Sequence, residues 1–394
     1  MGTFGVGLLF ALCASLMLCG SSLPASTRYE LVDEWGGSGT EDGQFLEPHG
    51  IAIDGDSNLF VSDPSNHRIQ KFTPDGTFLT GWGRYGREEG QFIAPQGIDV
   101  DREGNVYVAD FLNDRIQKFT PDGEFLAAWS TRLDGWWLYS TPRALAVDGE
   151  GSIYVHHAAL TPPDGYYTCI QKFTAEGILI DQWPFIWFDT LEMATDSENN
   201  LYVPATIIGP IQIFQAGGDL VNQIQTCTAD DIFCTSTGIA LDGEGYMYVS
   251  DALHHCIKKF AQDGTFITTI VLEGKGGFGA QPSPYGLAID SQGNIYVADA
   301  ANDCIKKYSP VSTTTTTVPG CPVVILYGEK ARETEALRVF RDEVLSTTPE
   351  GRQLVGLYYR LSPMIAQILE NDEEVKNELR ALLASLLHIR GHHA

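Results

Sequence analysis

Residues 95–119 read PQGIDVDREGNVYVADFLNDRIQKF. Apolar and polar residues alternate along 98–100 and again along 106–108, and a Gly-Asn pair lies between the two segments. Alternation of this kind predicts two short strands joined by a tight turn. The phrase RIQKF predicts a third strand, and residues 124–129 predict a fourth strand after a Pro-Asp-Gly turn. A four-stranded unit of this length is typical of one blade of a β-propeller.

The unit occurs six times. The aspartate that ends the first strand of each unit recurs at intervals of 46 to 48 residues. These aspartates are Asp54, Asp101, Asp148, Asp196, Asp242 and Asp290. Because each one begins a tight turn, we expect it to have a structural role. Six regular repeats of four strands predict an all-β, six-bladed propeller.

The sixth unit lacks a fourth strand, and a matching strand lies near the start of the chain. Residues 29–36 end in DEWG and are followed by GSGTEDGQF, just as residues 78–83 end in GWG and are followed by RYGREEGQF. We therefore expect residues 29–36 to pair with the last blade and close the ring. Closure removes the exposed sheet edges that an open array would leave for aggregation.

The repeats resemble those of the NHL family, whose blades read roughly P-x-G-I-A-V-D, G-N-I-Y-V-A-D and N-x-R-I-Q-x-F. The resemblance covers about residues 29–309 and is closest in the first two blades. It implies an NHL-type propeller and leaves the function open, because one fold hosts many activities. Some intracellular NHL proteins bind RNA. Here a net charge of −26, from 25 basic and 51 acidic residues, repels a phosphate backbone and excludes nucleic acid as a partner.

The two ends of the chain predict export. Residues 1–26 contain an apolar run followed by small residues, which predicts a signal peptide and assigns 27–309 to the propeller. Residues 310–320 are threonine-rich and bounded by proline, as in a linker. In residues 321–394, apolar side chains recur at helical spacing, which predicts a small α-helical C-terminal module.

The C-terminal module resembles the CFI-box sorting domain of bacterial proteins. The shared features are Cys321 after the linker, Tyr327-Gly328, the phrase LRVFRD at 337–342 and the phrase YYRLSP at 358–363, although the Phe-Ile-Ala-Thr run of the box is missing. The resemblance implies a bacterial protein that is secreted, periplasmic or held at the cell surface, with Cys321 as a candidate processing site. The alternative is a small helical hairpin that packs on a partner or dimerises. We expect membrane association only through the leader or this module.

Export also changes how the cysteines are interpreted. Cys227 and Cys234 flank the sequence TADDIF between the fourth and fifth blades, and they form a candidate disulfide in an oxidising compartment. Cys169, Cys256 and Cys304 share one repeated position, at which the first two blades have arginine. Equivalent positions in neighbouring blades are too far apart for a disulfide, so we expect three semi-buried thiols.

Propellers bind ligands at the channel mouth, where first strands begin and second strands end. The candidate ligand-binding residues at this mouth are His49, Gln96, Arg143 and Tyr285 from first strands, with Asp251 and Asp299 from second strands. In the first two blades the equivalent aspartate precedes an arginine by five residues, so we expect a salt bridge there. Asp251 and Asp299 precede a cysteine instead, which removes that partner and makes them the better ligand candidates.

Two functions remain open from the sequence. The first is a non-catalytic scaffold that binds a protein, a peptide or a glycan at the cell surface. The second is a metal-dependent enzyme of the peptide-amidating-lyase or lactonase type, because the related lyase holds a channel zinc with histidines. A catalytic zinc needs three converging protein ligands, and His49 is the one histidine in the first-strand ring. We therefore expect the scaffold, with no catalytic residue and no cofactor; zinc or calcium would belong to the alternative.

Overall fold

A computed structural model describes residues 28–132, 140–161, 165–185, 190–206, 209–225, 235–272 and 282–311. Four predictions lie outside these residues. They are the signal peptide, the C-terminal module with Cys321, the Cys227–Cys234 disulfide, and the linker apart from its first two residues. The described residues form six four-stranded antiparallel sheets. Their innermost strands contact one another in a closed circle, so the sheets are the blades of a six-bladed propeller.

The strands are numbered in chain order, and each blade is built from four consecutive strands except the last. Blade I is β2 (Ile51–Ile53), β3 (Leu59–Asp63), β4 (Arg68–Phe72) and β5 (Phe78–Trp82). Blade II is β6 (Pro95–Val100), β7 (Val106–Asp110), β8 (Arg115–Phe119) and β9 (Phe125–Ser130). Blade III is β10 (Ser140–Val147), β11 (Ile153–Thr161), β12 (Gly165–Phe173) and β13 (Leu179–Phe185).

The remaining blades follow the same order. Blade IV is β14 (Ala194–Thr195), β15 (Leu201–Pro204), β16 (Ile211–Phe214) and β17 (Leu220–Ile224). Blade V is β18 (Ser236–Leu241), β19 (Met247–Asp251), β20 (Cys256–Phe260) and β21 (Phe266–Val271). Blade VI is β22 (Pro284–Ile289), β23 (Ile295–Asp299), β24 (Cys304–Val311) and β1 (Arg28–Gly36).

Blade VI is completed by the strand from the start of the chain, as predicted. β1 pairs antiparallel with β24, from Arg28 opposite Val311 to Gly36 opposite Cys304. β24 therefore extends two residues into the segment predicted as linker. The helices among the described residues are two three-residue 3-10 turns, and none of the described helices is long and apolar enough to cross a membrane.

The repeated aspartates act as turn residues. Asp101, for example, accepts hydrogen bonds on Oδ1 from the backbone N–H of Glu103 at 3.1 Å and of Asn105 at 2.8 Å. Its Oδ2 accepts one from the hydroxyl of Tyr107 at 2.9 Å, which ties the turn to the following strand. The aspartates of blades III to VI bond in the same way. The structure thus supports the structural role expected for them.

The core is divided into six apolar clusters in the described residues, one between each pair of neighbouring blades. A tryptophan on the outermost strand packs on the turn of the next blade. Trp82 lies over Gly123, whose φ of +86° favours glycine, and a Cβ there would come within 2.6 Å of the indole. Trp35, Trp129 and Trp183 contact equivalent glycines. These contacts hold the blades side by side and fix the inner strands around the axis.

Candidate ligand-binding site at the channel mouth

The mouth is the end of the axis at which the first strand of every blade begins. The residues that occupy the equivalent position near these strand starts are His49, Gln96, Arg143, Leu191, Thr237 and Tyr285. Thr237 is buried at 3 % exposure, and the other five are half-buried. Partial exposure is what side chains at the rim of a cavity show. The structure therefore brings the predicted first-strand residues to one end of the propeller.

His49 and Tyr285 face each other across the seam between blades I and VI. Their ring centroids are 5.0 Å apart with an interplanar angle of 35°. The backbone N–H of His49 donates to the carbonyl of Ser62 at 3.0 Å, which fixes the start of the first strand. Gly286 allows the close approach, because a Cβ at this position would lie 2.4 Å from the carbonyl oxygen of His49.

Arg143 provides the positive charge of the mouth. Its guanidinium lies 5.0 Å from the ring centroid of Phe111, within the range of a cation–π contact. Burial and, as the smaller cause, the charge of Arg143 together lower the pKa of His49 to about 4. Burial, His157 and Arg143 likewise lower the pKa of His156, which is fully buried. At neutral pH the mouth therefore combines a cationic guanidinium with a neutral imidazole.

Gln96 lies between these groups along the ring. Its carbonyl oxygen accepts the hydroxyl of Ser62 at 2.6 Å, which links blade II to blade I. Its side-chain Oε1 is buried and receives no hydrogen bond from the described residues. Because this oxygen is buried, a ligand donor would reach it only after the side chain moves.

Asp251 and Asp299 do not lack a partner, which corrects the reasoning from the cysteines. Lys258 Nζ lies 2.9 Å from Asp251 Oδ2, and Lys306 Nζ lies 2.8 Å from Asp299 Oδ2. Burial alone would raise the pKa of Asp251, but hydrogen bonds from Lys258 and His254 outweigh it and lower the pKa. Both carboxylates are buried at 2 % exposure or less. Their assignment to the ligand site is therefore without support from their surroundings.

Asp251 and Asp299 keep a cationic partner because the third strand carries its cation at a different position in blades V and VI. In blades I and II the arginine begins the third strand, and its Nε bonds the aspartate: Arg68 to Asp63 at 2.9 Å and Arg115 to Asp110 at 2.8 Å. These two salt bridges confirm the prediction. In blades V and VI the third strand begins with cysteine, and lysine stands two residues later on the same strand face. The cation has moved two residues, and a small buried thiol occupies the vacated place.

The three cysteines at this position are buried thiols. Cys169, Cys256 and Cys304 are exposed by 3 %, 4 % and 0 % respectively, and none is in a disulfide. Burial raises the pKa of Cys169 to about 12, so it remains a neutral thiol. They are more deeply buried than predicted.

The sequence reasoning missed Glu192. It is half-buried and directly follows Leu191, the mouth residue of blade IV. The other five blades have glycine or alanine at this position: Gly50, Gly97, Ala144, Gly238 and Gly286. Its Oε2 accepts the backbone N–H of Ile239 at 3.1 Å and of Leu287 at 3.0 Å. Burial raises the pKa of this carboxyl well above its usual value, and nearby Asp99 adds to the effect. Comparing the repeats for departures would have found it.

Asp99 was missed for the same reason. The other five blades have alanine at its position: Ala52, Ala146, Ala194, Ala240 and Ala288. Asp99 Oδ2 accepts the backbone N–H of Val147 at 2.7 Å, which joins blade II to blade III. Burial raises the pKa of Asp99 to about 6. Two ionisable carboxyls thus lie near the axis where the repeat otherwise has small side chains.

A cavity of about 460 Å³ lies elsewhere, beside Trp129 of blade II. Arg87, Arg115 and Arg132 are among its lining residues. Arg115 is paired with Asp110 at 2.8 Å, and Arg132 Nε lies 3.3 Å from Asp114. Because its positive charge is largely compensated, this cavity is a weaker ligand site than the mouth.

The residues that the structure describes contain no cluster of three histidine, cysteine or carboxylate side chains that could hold a metal ion. His49 is accompanied at the mouth by a cation, Arg143, whose charge opposes the binding of Zn²⁺ or Ca²⁺. The described mouth residues therefore do not fit a catalytic metal.

Comparisons with known proteins agree with the repeat and the fold. Residues 45–72, 92–119 and 282–308 match the NHL repeat. Short segments are similar to two curated proteins. One segment is 44 % identical over 45 residues to B-box type zinc finger protein ncl-1 of Caenorhabditis elegans, and it covers 11 % of this chain and 5 % of that protein. Another comparison gives 42 % identity over 45 residues to Protein brain tumor of Drosophila melanogaster, over 11 % of this chain and 4 % of that protein. The matched part is thus about a twentieth of the length of these relatives.

Two solved structures share the architecture at low identity. Virginiamycin B lyase from Staphylococcus aureus has a TM-score of 0.51 and 13 % identity, over 72 % of this chain and 100 % of that chain. A gluconolactonase from Xanthomonas campestris has a TM-score of 0.54 and 17 % identity, over 75 % of this chain and 94 % of that chain. At this identity the similarity concerns the fold alone. The chain contains NHL repeats, and they form a six-bladed propeller.

Proposed function

We propose that this chain is a non-catalytic binding propeller of a bacterium, secreted or held at the cell surface, that recognises a protein, a peptide or a glycan at its channel mouth. The observation that carries the proposal is the set of half-buried groups at the mouth: Arg143 beside a neutral His49, which is stacked on Tyr285. These groups suit a ligand with one anionic group for the guanidinium and further hydrogen-bonding groups around it.

A peptide carboxylate or an acidic sugar meets this description. Tyr285 offers an aromatic ring on which an apolar side chain or a sugar face can stack. The rest of the protein carries a large negative charge, so an anionic group would bind only where a local cation compensates the general repulsion. The same charge argues against nucleic acid. The signal peptide, the threonine-rich linker and the sorting-like module support the extracellular location and stay predictions.

Binding of the full chain to peptide and glycan arrays tests the proposal. We expect a ligand class that wild type binds and that R143Q and H49Q bind at least tenfold more weakly, because each removes a group from the mouth. R132Q is the matched control, since Arg132 is an exposed arginine that follows the outermost strand of blade II. A wild-type chain that binds nothing, or binding that R143Q and R132Q weaken equally, would overturn the proposal.

The second candidate is an enzyme of the lyase or lactonase class. The observation that favours it is the combination of a neutral imidazole at His49 with the raised pKa of the Glu192 carboxyl near the same axis. Perturbed acid and base groups cluster at catalytic sites. Assays of the full chain against lactones and cyclic depsipeptides, with and without Zn²⁺, Ca²⁺ or Mg²⁺, test this candidate. Turnover abolished by H49Q and retained by R132Q would favour it over the scaffold.

A further inference from the structure

Glu192 occupies a place in the repeat that the other five blades keep small. Four of them have glycine there and one has alanine. The ring can therefore pack at this level without any long side chain, and a carboxylate at half-buried depth has a desolvation cost. A residue that departs from the repeat at such a cost requires an explanation specific to blade IV.

The carboxylate connects three blades. Glu192 belongs to blade IV, and its Oε2 accepts one backbone N–H from β18 of blade V and one from β22 of blade VI. The donors, Ile239 and Leu287, are on the innermost strands, whose inner edges have no further strand to pair with. An N–H that points toward the axis needs an acceptor, and Glu192 supplies one acceptor for both.

Both donors lie two residues after a mouth residue. Ile239 follows Thr237, and Leu287 follows Tyr285. The hydroxyl of Thr237 in turn donates to the carbonyl of Pro284 at 2.5 Å, so the strand starts of blades V and VI are joined above the carboxylate as well. Tyr285, whose ring contacts His49, is thus on one of the two strand starts that these hydrogen bonds join.

The neighbouring glycines leave room for the carboxylate. A Cβ at Gly238 would lie 2.6 Å from Oε2 of Glu192, and a Cβ at Gly286 would lie 3.2 Å from Oε1. The same Cβ at Gly238 would also lie 2.2 Å from the carbonyl oxygen of Tyr285, so both groups need a glycine here. The long side chain in blade IV and the glycines in blades V and VI therefore fit one another.

From these contacts we propose that Glu192 is a positioning residue of the channel mouth. Its carboxylate holds β18 and β22 together so that Tyr285 stays stacked on His49. As a statement about a ligand site the inference rests on the proposed function, whereas the geometry it predicts is measurable without a ligand.

The experiment is NMR of the full chain, following the His49 ring protons and the amide protons of Ile239 and Leu287. Y285L gives the displacement of the His49 signal that results from loss of the Tyr285 ring. We expect E192A to shift the His49 signal in the same direction as Y285L, and E192Q to restore the wild-type spectrum, because an amide oxygen can still accept both N–H groups. The double variant E192A/Y285L should shift the signal no further than Y285L alone.

D99A is the matched control, since Asp99 is a second half-buried carboxyl near the axis but bonds Val147 of blade III. It should displace the Val147 amide signal and leave those of Ile239 and Leu287 in place. If E192A does not fold, E192D keeps the charge and shortens the reach by one methylene, and it should displace the same signals partially. A folded E192A or E192D with a wild-type His49 signal and unchanged Ile239 and Leu287 amides would overturn the proposal.

Array binding is a separate measurement. If no ligand binds wild type while the His49 signal depends on Glu192, the proposed function fails and the positioning role stands. If ligand binding depends on Arg143 while the His49 signal is indifferent to Glu192, the positioning role fails and the proposed function stands.

Discussion

Lys306 and Asp299 form an ion pair at 2.8 Å in which both side chains are fully buried. A buried charge left without its partner costs about 3 to 5 kcal/mol. We therefore expect K306Q to lower the free energy of unfolding by about 3 kcal/mol, because it leaves the Asp299 carboxylate with a neutral amide. Urea unfolding followed by tryptophan fluorescence measures the change.

The repeat itself offers the control for this variant. The double variant C304R/K306Q gives blade VI the arginine and glutamine of blades I and II. It should recover part of the loss, since an arginine at the start of the third strand reaches the aspartate in those blades. A double variant that is no more stable than K306Q would show that an arginine at position 304 does not replace Lys306 as the partner of Asp299.

Asp99 makes the stability depend on pH. Burial raises its pKa to about 6 in the folded chain, against an ordinary value of 3.8. Between these values the folded state holds the proton more tightly than the unfolded state, so stability falls as pH rises through this window, by up to about 3 kcal/mol. D99N keeps an acceptor for Val147 and removes the ionisation. We expect the free energy of unfolding of D99N, relative to that of wild type, to increase from pH 4 to pH 6 and then to level off.

The measurement is the free energy of unfolding in urea at each pH. D181N is the control, because Asp181 is an exposed aspartate on β13. The change of D99N stability with pH is read against that of D181N. A D99N difference that does not vary with pH relative to D181N would contradict the raised pKa of Asp99.

His49 acts in the opposite direction. Burial, with a contribution from Arg143, lowers its pKa to about 4 from an ordinary value of 6.5. The unfolded chain therefore binds the proton first, and stability falls as pH drops from 6.5 toward 4, by up to about 3 kcal/mol. H49Q should lack this loss. R143Q should shift the pKa of His49 upward only in part, since burial is the larger cause; NMR titration of the His49 ring reads it directly.

The packing of neighbouring blades predicts two different costs for the same substitution. G90A places a Cβ at φ +71° with no atom within 4 Å, so it should cost about 1 kcal/mol from backbone strain alone. G123A adds a clash at 2.6 Å with Trp82 and should cost roughly 1 to 3 kcal/mol more. Equal losses in chemical denaturation would mean that the tryptophan moves aside freely.

The fold could be predicted from the sequence because each blade is specified locally. The alternating strands, the aspartate turns and the matching strand at residues 29–36 are all visible within segments of a few dozen residues, and the six-bladed ring follows from counting them. The salt bridges of Asp63 and Asp110 could be predicted for the same reason, since each partner is five residues away.

The candidate site was harder because its contacts join blades that are distant in sequence. Glu192 accepts a hydrogen bond from the N–H of Leu287, 95 residues away, and no local sequence pattern predicts such a contact. Lys258 and Lys306 were overlooked for a different reason. They are not found by comparing the arginine position alone. A strand presents every second residue on one face, so a cation two residues later reaches the same carboxylate.

The pairing of β1 with β24 places the first and last described residues of the propeller side by side. Arg28 and Val311 are opposite one another at the end of blade VI remote from the mouth. The polypeptide therefore enters and leaves the ring at one point on the underside. A label joined directly to Arg28 or Val311 would therefore lie at the end of the propeller opposite Arg143, His49 and Tyr285, and would leave the opening uncovered.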